Sequence, residues 1–244
     1  YLSTSTDKTL VSVGISNPAS PTKLSEVTTY GVDDDLDLES GRVYVAAYGD
    51  GIQIYSNGGS PSRYGEFDPF GSGNFVRVAA AGTTAFGMNS NGTLWIVNAS
   101  SPSSPTTYKE IAGAGGDSYG YNRMATSNGL GYLYIHTSSG VKIVDYRTPA
   151  SATVVGTPIT GYIRDIYIPP NQNKLYVAVE GEVRVYNISN RTNPSLIASA
   201  TIGSLVYDVS VDENGRIFAY VSDSGNYIYL LEEDGTGLKN LAAY

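Results

Sequence analysis

The feature that most limits how this chain can fold is an internal repeat: a unit of roughly 42 to 48 residues recurs along the whole sequence. Five units open on a short apolar strand: Asp35-Leu36-Asp37-Leu38, Arg77-Val78-Ala79-Ala80, Arg123-Met124-Ala125-Thr126, Asp165-Ile166-Tyr167-Ile168 and Asp208-Val209-Ser210-Val211. A second strand carries an aromatic residue at a fixed place, namely Tyr1, Tyr44, Phe86, Tyr134, Tyr176 and Phe218. Tight turns follow at Asp50-Gly51, Asn91-Gly92, Ser139-Gly140, Glu180-Gly181 and Ser224-Gly225, where glycine supplies the positive φ a hairpin demands. A third strand alternates, as in Ile52-Gln53-Ile54-Tyr55 and Val183-Arg184-Val185-Tyr186; Leu10-Val11-Ser12-Val13 is its counterpart in the first unit. Proline loops at Asn17-Pro18-Ala19-Ser20-Pro21, Ser101-Pro102-Ser103-Ser104-Pro105, Thr148-Pro149 and Asn193-Pro194 then interrupt the pairing, because proline has no amide to give a ladder. A weaker fourth strand, such as Ser195-Leu196-Ile197-Ala198, closes the unit.

Four short antiparallel strands per forty-odd residues define a propeller blade, and no stretch carries a helical stripe. The expectation is therefore one all-β domain, a six-bladed β-propeller of four-stranded antiparallel blades. The blades fall at approximately 1–31, 32–73, 74–121, 122–162, 163–204 and 205–244, the first incomplete at its N-terminal strand. Residues ahead of Tyr1 in a longer chain would supply that strand, or Leu238-Lys239-Asn240-Leu241-Ala242-Ala243-Tyr244 would close the ring beside Tyr1. The same segment also fits the fourth strand of the last blade, which is the preferred assignment.

Composition narrows the partners. The 244 residues carry 15 basic and 23 acidic side chains, a net charge of −8, with no Lys/Arg cluster to displace counterions from a nucleic acid. No apolar run approaches the roughly 20 residues of a membrane helix. With no cysteine, disulfides, thiolate metal sites and a cysteine nucleophile are excluded together. A charged fraction of only 16%, beside 21 tyrosines and abundant Ser, Thr and Gly, leans toward an extracellular or cell-surface protein.

The order of elements, with Val141-Lys142-Ile143-Val144-Asp145, Leu94-Trp95-Ile96-Val97-Asn98 and Ser16-Asn17-Pro18, resembles the LVIVD-repeat propellers of bacterial and archaeal surface proteins. Only one unit keeps the aspartate that ends the motif. The last unit also looks like an NHL-type blade, through Asp212-Glu213-Asn214-Gly215 and Asp223-Ser224-Gly225-Asn226. The resemblance implies an extracellular propeller with an adhesive or scaffold role and hands over no catalytic residues.

Several residues invite a chemical reading. The single histidine, His136, lies in an aromatic strand, where a structural role outweighs that of base in a Ser-His-Asp triad. In the acidic run Asp33-Asp34-Asp35-Leu36-Asp37-Leu38-Glu39, strand alternation places Asp33, Asp35, Asp37 and Glu39 on one face. Calcium is the cofactor this suggests, held by Asp33, Asp35 and Asp37, although the spacing is not that of an EF-hand loop. The competing and preferred expectation is a ring of charges at the channel mouth, Asp35, Arg77, Arg123, Asp165 and Asp208, with Asp35 set against Arg77 and Arg123 against Asp165. Asn91, Asn98, Asn187 and Asn190 begin glycosylation sequons, no more numerous than chance allows. Tyr108, Tyr119, Tyr121 and Tyr162 fall in or beside loops and are candidates for a binding surface, near the glycine-rich stretch Ala112-Gly113-Ala114-Gly115-Gly116-Asp117.

The function expected is a non-catalytic binding (adhesin-like) or structural module that meets a protein or glycan at a surface. The alternatives are a calcium-dependent propeller hydrolase or lactonase using channel-mouth carboxylates, and a domain of a larger cell-envelope or virion fibre.

Overall fold

The structure, a computed structural model, describes residues 2–4, 8–69, 71, 74–115, 123–127, 129–170, 172–235 and 237–244; the side chains of 2–4 and 32–34 lie outside that description. The chain divides into two compact units, Tyr1–Gly120 with Pro149–Ser151, and Tyr121–Thr148 with Ala152–Tyr244. The first unit holds a three-stranded sheet (Leu2–Thr4, Thr9–Gly14, Thr22–Thr28) and two four-stranded ones (Val32–Glu39, Arg42–Tyr48, Ile52–Ser56, Arg63–Phe67; Phe75–Ala81, Thr84–Asn89, Leu94–Asn98, Thr106–Ile111). The second unit holds three four-stranded sheets: Met124–Thr126, Tyr132–Thr137, Gly140–Asp145, Thr153–Thr160; Ile163–Tyr167, Lys174–Val179, Glu182–Asn187, Ser195–Thr201; and Val206–Val211, Ile217–Ser222, Asn226–Glu233, Leu238–Ala243. Every strand pairs antiparallel with its neighbour in sequence, and these sheets are the blades of an all-β, six-bladed propeller. The first blade lacks a leading strand among the described residues, and Leu238–Ala243 is the fourth strand of the last.

In three blades the fixed aromatic anchors the sheet to the next. Tyr44, Phe86 and Tyr134 are 0% exposed and Tyr176 is 1% exposed. Tyr44 clusters with Phe75, Val78 and Ala80 of the third blade, Tyr134 with Ile163 and Ile166 of the fifth, and Tyr176 with Val206 and Val209 of the sixth. Burying such a side chain stabilises by about 1.5–3 kcal/mol, which is why the repeat keeps a large ring at that place. Packing between the second and third blades also leaves no room for a side chain at one position. At Gly87 in the third blade, a Cβ would lie 2.6 Å from Phe75 Cδ1 and 2.5 Å from Ile52 Cδ1. In the last blade, period-two alternation buries Ile217, Ala219 and Val221 but leaves Phe218 and Tyr220 half-exposed.

In three blades the end of the third strand has its own device. The carboxamide oxygen of Asn98 accepts Ser100 N at 3.0 Å, that of Asn187 accepts Ser189 N at 2.8 Å, and Asp145 Oδ1 accepts Arg147 N at 3.1 Å. This Asx turn starts the proline loop, and it asks only for a short side-chain oxygen. Asparagine and aspartate are therefore equivalent at the motif's last position. The following residue (Ala99, Tyr146 or Ile188) is buried, and its amide reaches back to the residue ahead of the second strand, at Thr83 O, Gly131 O and Asn173 O.

Candidate functional site

The charged residues singled out by the repeat sit on the first strands of the blades or, for Arg123, immediately before one. A first strand is an edge: its outward amides alternate with those paired to the second strand and need acceptors. In the third blade these amides belong to Val78, Ala80 and Gly82. Asp35 Oδ2 accepts the first at 3.1 Å, Asp37 Oδ2 the second at 2.7 Å and Glu39 Oε1 the third at 3.0 Å. Carboxylates two residues apart thus meet edge amides two residues apart. The fifth and sixth blades repeat one rung, Val209 N donating to Asp165 Oδ2 at 3.0 Å.

Asp33 falls elsewhere in the register. It pairs with Ala47 while Asp35 pairs with Ala46, so Asp34 is an extra residue and the alternation does not run through from 33 to 35. The side chain of Asp33 lies outside the described residues. The same bulge stands at Val76, Arg164 and Tyr207, always one residue before the repeat's charged position.

The charged positions do not all do one thing. Arg123 lies between two acids, with Nε 3.5 Å from Asp165 Oδ1 and Nη2 3.3 Å from Asp208 Oδ2. Arg77 Nη1 donates to Val76 O, and Asp35 engages the amide one residue beyond Arg77. Burial pushes the Asp165 carboxyl up to about 7, reinforced by the Asp208 charge; Arg123 opposes this but is half-exposed, so solvent screens its attraction. Burial likewise raises Asp37 to about 6 against the amides of Ala80 and Leu38. Among the described residues, no group of three or more His, Asp or Glu stands placed to hold a metal ion.

His136 is buried at 4% exposure, with Nδ1 3.3 Å from Ile163 O. Of the sequon asparagines, Asn91, Asn187 and Asn190 are exposed and Asn98 is half-buried; the side-chain oxygens of all four accept a hydrogen bond from the residue two positions on. Tyr119 and Tyr121 lie outside the described residues. Tyr108 is half-buried in the outer strand of the third blade. Tyr162, 41% exposed, keeps different company: the Arg164 guanidinium lies over its ring at 4.6 Å and over the Tyr207 ring at 4.9 Å, and Tyr207 is 6.0 Å from Tyr220.

Arg164, Tyr207 and Tyr220 were not among the residues the sequence singled out. The available signal was the bulge: Arg164 and Tyr207 occupy the same repeat position, and an extra residue re-aims its side chain out of the alternation. Likewise, the 35, 37, 39 spacing matches the spacing of outward amides on an edge strand and need not imply a metal.

The molecule is thus a β-propeller whose first-strand carboxylates tie blade to blade. It carries LVIVD repeats: the LVIVD repeat model matches residues 5–29 and 161–201, the first and fifth units. No curated protein matches the sequence significantly. Among solved structures, it is similar to a functionally unknown protein from Desulfotomaculum acetoxidans DSM 771 (14% identity, TM-score 0.75, covering 97% of this chain and 79% of that one). It is also similar to a proposed 6-phosphogluconolactonase from Bacteroides fragilis NCTC 9343 (15%, 0.73, 99% and 79%) and to a chain of a mitotic checkpoint complex (12%, 0.72, 99% and 76%). These likenesses establish the propeller.

Proposed function

We propose that this propeller is a non-catalytic binding or structural module of the cell surface or extracellular space, working without a metal or organic cofactor. The observation that carries the reading is the use of the first-strand acids: Asp35, Asp37, Glu39 and Asp165 each accept a backbone amide of the following blade. A hydrolase of this fold would need such acids to converge on a metal or a reacting carbonyl, whereas these are spaced along strands and turned to the amides of the following blade. His136 is buried in the sheet with Nδ1 against Ile163 O. What the surface offers is contact: half-exposed tyrosines and an arginine on the second unit, the kind of side chains that bind partners with little conformational loss.

Two measurements test this. Melting temperature is followed with calcium and with chelator, and hydrolysis of 6-phosphogluconolactone is followed at micromolar protein. No calcium shift and no turnover above buffer are expected. Lactone turnover above buffer overturns the non-catalytic reading, and a large calcium-dependent rise overturns its metal-free part.

A further inference from the structure

We propose that Arg164, framed by Tyr162, Tyr207 and Tyr220, forms a binding site for a carboxylate-bearing sugar; this rests on the binding-module reading above. Arg164 is the bulge residue of the fifth blade's first strand, between Ile163 (3% exposed) and Asp165 (4% exposed), so its side chain is turned out while its neighbours are turned in. Its guanidinium lies over the faces of two tyrosine rings, an arrangement that fixes its plane. Tyr207, the bulge residue of the sixth blade, occupies the equivalent place, and its ring leans on Tyr220 at an interplanar angle of 45°. Tyr220 is itself pinned, its hydroxyl donating to Asn226 Oδ1 at 3.0 Å.

Among the described residues the guanidinium meets two rings and no acid, and its Nε is buried without a hydrogen-bond partner. The adjacent acid, Asp165, is committed to Val209 N and faces Arg123. In a chain of net charge −8, this cation stands between aromatic rings with no anion paired to it among the described residues. A planar guanidinium so held matches a carboxylate in the two-pronged manner that an ammonium cannot.

The frame favours a sugar over an acidic peptide. Tyr162, Tyr207 and Tyr220 are 41%, 38% and 39% exposed, so part of each ring is open to solvent and they do not wall a deep side-chain pocket. Such faces, with hydroxyls at their edges, suit the flat C–H surface and hydroxyl rim of a pyranose. A sugar acid stacked there sets its carboxylate toward Arg164.

The test is a calorimetric titration of the whole chain with trigalacturonate, with maltotriose as the neutral reference and hexaglutamate as the acidic peptide. Trigalacturonate is expected to bind, more weakly as salt rises, and in preference to both references. Arg164→Met should weaken it about tenfold or more, since a hydrogen bond to a charged group is lost. Tyr207→Ala should weaken it, and Tyr207→Phe, which keeps the ring, should not. Unchanged melting temperatures show that the variants are folded; should Arg164→Met fail to fold, Arg164→Lys carries the test, with partial loss expected. The proposal is overturned by absence of trigalacturonate binding, by binding that Arg164 variants leave unchanged, or by hexaglutamate binding as tightly. Equal binding of maltotriose also overturns it while leaving the binding-module reading standing, whereas lactone turnover brings down that reading itself.

Discussion

The carboxylate of Asp37 accepts the amide of Ala80, in the next blade, at 2.7 Å, on the middle rung of a three-rung ladder. Removing the acceptor while leaving the donor buried is the expensive direction. Asp37→Ala should cost about 1–3 kcal/mol, the price of an unsatisfied buried amide. Asp37→Asn keeps an oxygen for Ala80 and removes a charge that burial disfavours, so it should be near neutral. Urea unfolding of the two variants checks this, and equal losses in both would sink the ladder as a stabilising element.

Asp165 predicts an unusual pH dependence. Its carboxyl is raised from an ordinary 3.8 to about 7 by burial, with help from Asp208. Between about pH 4 and 7 the folded chain keeps a proton that the unfolded chain has released, so stability falls as pH rises through that window and levels off above it. Asp37, raised to about 6, acts in the same direction over a narrower span. The Asp165 effect has a ceiling of about 4 kcal/mol, at 1.4 kcal/mol per unit. Asp145, which its bond from Arg147 holds below the usual carboxylate range, has the opposite sign but acts only at lower pH. The melting temperature should be higher at pH 5 than at pH 8, and Asp165→Asn should flatten the difference. An unaltered slope in that variant contradicts the assignment.

Gly87 tests how tightly the blades mesh in the first unit. Gly87→Ala sets a methyl within 2.6 Å of both Phe75 and Ile52, and overpacking of this kind costs about 1–3 kcal/mol. Ile52→Val removes the nearer of the two atoms. If the clash is the cause, the double variant should recover part of the loss, and thermal melts of the two singles and the double decide it.

Much of this was legible in the sequence, for a specific reason. Ring position, turn glycines and proline loops recur because each blade solves the same packing problem, so Tyr44, Tyr134 and Tyr176 could be read as core without coordinates. The ladder was less legible. The acids at 35, 37 and 39 look like metal ligands or ion-pair partners until the next blade's edge amides are known to face them, and those amides carry no side-chain signature. The Arg164 site was illegible for a related reason: a bulge inserts one residue without marking it, so nothing in the sequence sets Arg164 and Tyr207 apart from other outward residues of their strands. The aspartate ending the LVIVD motif looks lost in units ending in Asn98 or Asn187, yet the turn it makes is kept.

The repeated aromatic also separates packing from hydrogen bonding. Tyr176 is buried like Phe86, but its hydroxyl donates to Glu233 Oε1 at 2.8 Å, and Lys174 Nζ meets the same carboxylate at 2.8 Å. Glu233 belongs to the sixth blade and Tyr176 to the fifth, so the hydroxyl ties two sheets as well as filling space. Tyr176→Phe keeps the ring and should cost about 1 kcal/mol, the net worth of an ordinary hydrogen bond. Glu233→Gln retains an acceptor for the hydroxyl and loses only the half-exposed ion pair with Lys174, worth about 0–1 kcal/mol. A double-mutant cycle of Tyr176→Phe with Glu233→Ala, which does remove the acceptor, should show a coupling of about 0.5 kcal/mol or more, as contacting residues do. A coupling indistinguishable from zero would mean that the aromatic holds the blades by packing alone.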